Sequence, residues 1–132
     1  MNNNKKFDPI KSKNENDLER SEFWDAYSRN FVAIVNARST KSYLKGEINL
    51  FKNYFFKNNE RKGKILKLDL WNEAHHTEIL MHVHQNYDEI HGIDISPHVV
   101  EQANNNLINK NIKATTRVGD IRNMPYSENS FD

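Results

Sequence analysis

The chain has 132 residues, 36% hydrophobic and 28% charged, with a formal net charge of +1 and no cysteine. That length favours one domain with one modest core, and the near-neutral charge supplies no global field to draw nucleic acid or anionic lipid. Without cysteine there is no disulfide scaffold, thiolate zinc site or cysteine nucleophile, a composition that fits a cytoplasmic chain.

Residues 1–17 are rich in lysine and asparagine and are expected to be a disordered tail, since they offer too little apolar surface to offset their ordering entropy. The terminal Met1-Asn2-Asn3-Asn4-Lys5-Lys6 leads into no apolar stretch, so it does not read as a signal peptide. No apolar run approaches the ~18 residues that span a bilayer, and no membrane association is expected. From Leu18 to about Ala37, Phe23, Trp24, Tyr27, Phe31, Ile34 and Val35 recur at offsets near three and four, which predicts a helix with Ser21 as candidate N-cap. Burial statistics place its aromatic side chains in a core. Residues 41–58 predict a second helix with a stripe of Leu44, Ile48, Phe51 and Phe55 and with Leu50 and Tyr54 at its edges. Gly46 weakens it by about 1 kcal/mol relative to alanine and is a candidate break. Residues 58–63 form a polar turn.

The period then changes. Lys64-Ile65-Leu66-Lys67-Leu68-Asp69-Leu70 predicts a strand, 73–86 a helix through Ala74, Ile79, Leu80 and Val83, and Glu89 to Asp94 a second strand. Ser96 caps a helix opened by Pro97, with Val99, Val100, Ala103 and Leu107 on its buried face. Ile112 to Val118 predicts a third strand, and a loop around Pro125 follows. Strands alternating with helices argue for parallel pairing and right-handed crossovers. The fold class is therefore α/β, a Rossmann-like three-layer arrangement. A tail (1–17) and amino-terminal helices (18–60) precede a partial cofactor-binding domain (61–132).

In a parallel sheet the carboxyl ends of all strands share one edge, where ligands bind. Asp69, Asp94 and Asp120 are predicted to converge there. Asp94 lies 21 residues after Glu73, close to the usual separation between a ligand loop and a ribose-binding acid. A carboxylate suits that task because it accepts hydrogen bonds from both ribose hydroxyls. The bland reading of each acid is a turn or helix cap.

Two segments, Gly92-Ile93-Asp94-Ile95-Ser96-Pro97 with Ala103, and Gly119-Asp120 with Met124-Pro125-Tyr126 and Ser130-Phe131-Asp132, resemble the class I S-adenosylmethionine-dependent methyltransferases over roughly Gly63 to Asp132. The resemblance implies S-adenosyl-L-methionine as cofactor, Asp94 on its ribose with Ile95 beside the adenine, and Asp120 at the adenine amino group with Ile121 nearby. The family's glycine-rich first loop is missing. In its place, Leu66-Lys67-Leu68-Asp69-Leu70-Trp71-Asn72-Glu73-Ala74 resembles a divergent branch in which Asp69, Leu70, Asn72 and Glu73 would line the cofactor's amino-acid end. The helices before Gly63 resemble the lids of small-molecule methyltransferases, which makes a lid the alternative to a core for Phe23-Trp24-Asp25-Ala26-Tyr27.

The resemblance implies a small-molecule methyl acceptor, and no general base is assigned. The family's sheet orders its strands 3-2-1-4-5-7-6, and this chain is expected to supply only 3-2-1. An amino-terminal fragment incompetent for catalysis alone is thus expected, with a second chain or a missing carboxyl-terminal half completing the sheet. The rival reading is a non-catalytic Rossmann-like module that pairs with another chain, favoured by the lost glycines. A nicotinamide-dependent enzyme ranks lower, because pyrophosphate needs the close backbone approach that glycines give. The six histidines do not follow metal-ligand spacings, so no metal is expected. The lysines of the tail are offset by acids, so nucleic acid is not an expected partner.

Overall fold

The structure, a computed structural model, describes residues 11–31, 38–54, 62–75 and 79–132, with the side chains of 11–17 and of Lys62 excepted. Its elements run α1 (Lys11–Asn30), α2 (Arg38–Tyr54), β1 (Lys62–Lys67), α3 (Trp71–His75), α4 (Ile79–Val83), β2 (Tyr87–Asp94), α5 (Pro97–Asn109) and β3 (Thr115–Val118). Short 3-10 turns follow α4 at His84–Asn86 and β3 at Ile121–Asn123.

The three strands form one parallel sheet in the order β1-β2-β3, the expected 3-2-1 seen from the other edge. The register pairs Ile65 with Ile90 and Lys67 with Gly92, then Gly92 with Thr116 and Asp94 with Val118. β1 stops three residues earlier than its apolar pattern suggests. Leu68 leaves the ladder and is 49% exposed, while Asp69 Oδ1 accepts a hydrogen bond from the Trp71 amide at 2.7 Å and starts α3. β3 also begins later than expected. Ile112 is buried beneath α5, its amide donating to the Leu107 carbonyl after Asn111 turns the chain at φ 58°. Asparagine is one of the few residues that enter this left-handed region readily.

The core lies between the sheet and α3, α4 and α5. Leu70, Leu80, Val83, Ile90, Val99, Ala103 and Leu107 pack there. Each large aliphatic side chain so buried contributes roughly 1.5–3 kcal/mol. The predicted α5 face is the observed one: Val99, Ala103 and Leu107 are buried and Val100 packs against them. Ser96 caps α5 as expected, its Oγ accepting from the Val99 amide at 3.2 Å with Pro97 in the first turn.

The amino-terminal helices depart from expectation. α1 begins at Lys11, inside the segment expected to be a disordered tail, because extending a formed helix by one residue is far easier than nucleating one. Ser21 therefore sits inside the helix and does not cap it; its Oγ donates to the Ile95 carbonyl at 2.8 Å. α2 runs unbroken through Gly46, and Phe51 packs against the core. Phe55, Ile34 and Val35, assigned to the helical stripes, lie outside the described residues. The segment 73–86, expected as one helix, contains α3, α4 and a 3-10 turn, with 76–78 outside the described residues. At the outer edge of β1 the Asp132 amide donates to the Lys64 carbonyl at 3.0 Å, and the Asp132 carboxylate accepts from the Lys64 amide at 2.7 Å. No helix among the described residues is long and apolar enough to cross a membrane.

Candidate functional site

A cavity of about 620 Å³ opens over the carboxyl ends of the strands, between them and α1. Asp69, Asp94 and Asp120 all line it, as the parallel topology requires of acids at consecutive strand ends.

Asp94 ends β2 and is the most constrained of the three. Its Oδ2 accepts from the Leu70 amide at 3.0 Å and its Oδ1 from the Ser96 amide at 2.9 Å. The carboxylate thus ties the turn after β1 to the start of α5. Burial raises its pKa above the usual aspartate value, against the pull of the Ser96 and Leu70 amides. Each carboxylate oxygen offers about two acceptor directions, and with the Leu70, Ser96 and Ile95 amides drawn to the group, capacity remains for a ligand hydroxyl. The Asp94 carbonyl accepts from the Gly119 amide at 2.9 Å, which brings the β2 and β3 exits together.

Asp120 caps the 3-10 turn after β3, accepting from the Arg122 amide at 2.8 Å. The Arg122 guanidinium also grips both carboxylate oxygens. That cation lowers the Asp120 pKa to about 2, with a smaller contribution from Arg20 across the cavity. Asp120 is therefore a fixed anion whose acceptor sites are shared with its own arginine.

The turn after β1 has no glycine, and it solves close packing differently. Leu70 turns inward and is fully buried against Gly92 on the neighbouring strand; a Cβ at Gly92 would come within 2.5 Å of a Leu70 methyl. A similar constraint holds at Gly119, where a Cβ would meet Ile93 at 2.7 Å. The small residue beneath the turn thus stands on the neighbouring strand, at Gly92, instead of within the turn. Asp69 presents its second oxygen to the cavity with no hydrogen bond among the described residues, and Leu68 and Trp71 flank it.

Glu73 and Asn72, expected at the cofactor's amino-acid end, do not line the cavity. Residues one and two positions beyond Trp71 cannot share its helix face. Glu73 is fully buried instead. Its Oε2 pairs with Lys67 at 3.0 Å and its Oε1 accepts from the Leu80 amide at 3.0 Å, so it braces β1 and α4. Burial raises its pKa, opposed chiefly by Lys67. Leu70 likewise contributes through its amide on Asp94, while its side chain belongs to the core.

The opposite wall comes from α1. Arg20, Trp24, Tyr27 and Phe31 fall at offsets of four, three and four, on one helix face, and all four line the cavity. The expectation that these aromatics form core is corrected here: Trp24 and Tyr27 are 43% and 49% exposed. They gather around Trp71, with ring centroids at 6.3 Å (Trp24), 5.5 Å (Tyr27) and 5.0 Å (Phe31). α1 is held in place by polar contacts. Asp25 Oδ1 accepts from Ser96 Oγ at 3.0 Å and from the His98 amide at 2.7 Å, and Ser28 Oγ lies 2.7 Å from His75 Nε2. Burial favours protonation of Asp25, but the His98 amide, Arg29 and Ser96 outweigh it and hold its pKa below the usual value.

With this geometry in view, the comparisons with known proteins bear directly on the strand-end acids. Residues 74–132 match the family model described as a methyltransferase domain. Over that span the chain is similar to that family. The resemblance to class I S-adenosylmethionine-dependent methyltransferases thus holds in fold and in family signature. A solved structure, the PH0226 protein from Pyrococcus horikoshii OT3, shares the fold with a TM-score of 0.60 at 20% identity, over 81% of this chain and 48% of that chain. The chain therefore spans about half the length of this structural relative. No curated protein matched.

Five of the eight residues expected at the cofactor line the cavity: Asp69, Asp94, Ile95, Asp120 and Ile121. Reasoning from sequence missed Arg122, which stands two residues after Asp120, and Arg20. It also passed over Trp71 as a wall residue. The signal available for α1 was the single face shared by Arg20, Trp24, Tyr27 and Phe31, since an arginine on a face destined for the core is an inconsistency.

Proposed function

We propose that this cavity binds S-adenosylmethionine and that the chain serves transfer of its methyl group to a small molecule. The observation that supports this most is the sharing of one cavity by Asp94 and Asp120, the acids at consecutive strand ends. The residues present suit the group. Asp94 keeps acceptor capacity for the ribose, and Ile95 and Ile121 offer apolar surface to an adenine ring. Asp120 is an anion at any physiological pH and can accept from an exocyclic amino group where Arg122 yields one direction. The unengaged oxygen of Asp69 suits the ammonium of the amino-acid end, a charge-assisted contact.

When bound, the cofactor supplies an electrophilic methyl group carried on a sulfonium. The chain's own residues hold the nucleoside, anchor the amino-acid end and keep water from the space between turn and lid. No described side chain on the lid wall is placed as a general base, so orientation and water exclusion are the contributions this part of the molecule can make. The absence of cysteine suits the reducing cytoplasm as the site of action.

Calorimetry with S-adenosylmethionine and S-adenosylhomocysteine tests the reading. One equivalent of either should bind to the folded chain. Asp94→Ala should weaken binding by roughly 10- to 150-fold, the loss of hydrogen bonds to a charged group. A folded sample that gives no heat with either ligand contradicts the reading.

A further inference from the structure

The geometry points to the aromatic wall of the cavity as a subsite for an organic ammonium group, which makes a small amine the class of methyl acceptor: the ammonium loses a proton to solvent, its nitrogen lone pair forms the new bond to the methyl carbon, and the broken carbon–sulfur pair returns to sulfur as a neutral thioether. This rests on the proposed cofactor reading, because it assigns the part of the cavity that the nucleoside and amino-acid contacts leave over. Those contacts use the β2 and β3 exits and the turn at Asp69. What remains is the wall made by Trp24, Tyr27, Phe31 and Trp71.

Three features of that wall select a cation over other acceptors. Its rings do not stack into a flat slab. Trp24 and Phe31 stand at 72° and 66° to Trp71, whereas Tyr27 lies at 28°, so the rings border the space from several directions. Aromatic rings that leave faces open to a cavity attract quaternary and alkylated ammonium groups through the ring quadrupoles. The rings are also half exposed and are not sealed by packing: Trp24 and Tyr27 keep 43% and 49% of their surface, although exposed large aromatics ordinarily mark a binding surface.

The third feature is charge. Asp69 borders the aromatic wall next to Trp71, so the carboxylate that meets the cofactor's ammonium also places negative charge beside the rings. The two arginines of the cavity lie at its other end: Arg122 is locked on Asp120, and Arg20 acts on that same carboxylate. An anionic acceptor would find Arg122 already committed to Asp120. A cationic one meets negative potential where the rings are.

The chain has only two tryptophans, and both line this wall, so intrinsic fluorescence reports on it directly. The chain saturated with S-adenosylhomocysteine is titrated with choline and, separately, with 3,3-dimethyl-1-butanol, its uncharged carbon isostere. Choline should give a saturable change and bind at least tenfold more tightly than the isostere. Trp24→Leu and Tyr27→Leu should each lower choline affinity several-fold, whereas Tyr54→Leu on the exposed side of α2 should leave it unchanged. Equal affinity for the two compounds overturns the ammonium subsite. So does S-adenosylhomocysteine binding with no choline response, and that result leaves the cofactor reading standing. If S-adenosylmethionine binds more than tenfold tighter than S-adenosylhomocysteine while choline does not bind, the rings serve the sulfonium and the inference fails. Failure of both nucleosides to bind overturns the cofactor reading itself, and the acceptor role falls with it.

Discussion

The two walls of the cavity are built by different means. The nucleoside wall hangs on backbone: β2 and β3 are laddered together, Asp94 is pinned by two amides, and Gly119 bonds back to the Asp94 carbonyl. The lid wall hangs on side chains that reach across long stretches of sequence, Asp25 to α5, Ser21 to Ile95 and Ser28 to His75. Positions fixed by ladder hydrogen bonds hold their geometry with or without ligand. Positions fixed by a few polar latches are free to open and close at small energetic expense, as a substrate-admitting wall must.

That contrast can be broken from the inside of the nucleoside wall. Glu73 braces the turn beneath it, and Glu73→Ala leaves Lys67 and the Leu80 amide without their partner. We expect a loss of about 3 kcal/mol, the low end for breaking a buried pair because Lys67 keeps some solvent contact. Chemical denaturation measures it. Glu73→Gln should lose less, since its amide oxygen can still accept from Leu80. The same residue sets a pH dependence. Burial raises the Glu73 pKa, so the folded chain retains a proton that the unfolded chain has released. Its contribution therefore falls as pH rises from the usual glutamate value through the raised one, and Glu73→Gln should flatten the stability profile in that window. A profile that is the same in the two proteins would show that Glu73 does not titrate apart from solvent.

The lid wall should respond more gently and differently. Asp25→Ala removes the acceptor for Ser96 Oγ and the His98 amide, which should cost about 1–2 kcal/mol. Its larger signature should be local: faster hydrogen exchange along α1 and stronger quenching of Trp24 by iodide, with exchange in β2 unchanged. If α1 and β2 loosen together, the two walls are one cooperative unit and the contrast drawn here is wrong.

The same division explains what the sequence disclosed. The parallel sheet, the Ser96-Pro97 cap and the placement of Asp94 and Asp120 were legible because each depends on local pattern: a change of period, a cap signature, an acid at a strand end. The fate of Glu73 was not, because its burial depends on Lys67 and on Leu80 arriving from α4. Trp24 and Tyr27 were misassigned to a core for a related reason. An aromatic stripe at helical spacing is the same string whether it faces a packed interior or a cavity, and the nearby Trp71 that decides the matter comes 44 residues after Tyr27. The missing glycines misled in the other direction. Close packing was achieved by Gly92 on β2, with Leu70 filling the space between turn and sheet.

The central claim, that the acids of β2 and β3 clasp one nucleoside, is tested most directly by an experimental structure of the chain with S-adenosylhomocysteine. The account predicts the ribose hydroxyls on the Asp94 carboxylate and the adenine between Ile95 and Ile121, its amino group toward Asp120. A nucleoside bound elsewhere, with Asp94 still engaged only by Leu70 and Ser96, would contradict it.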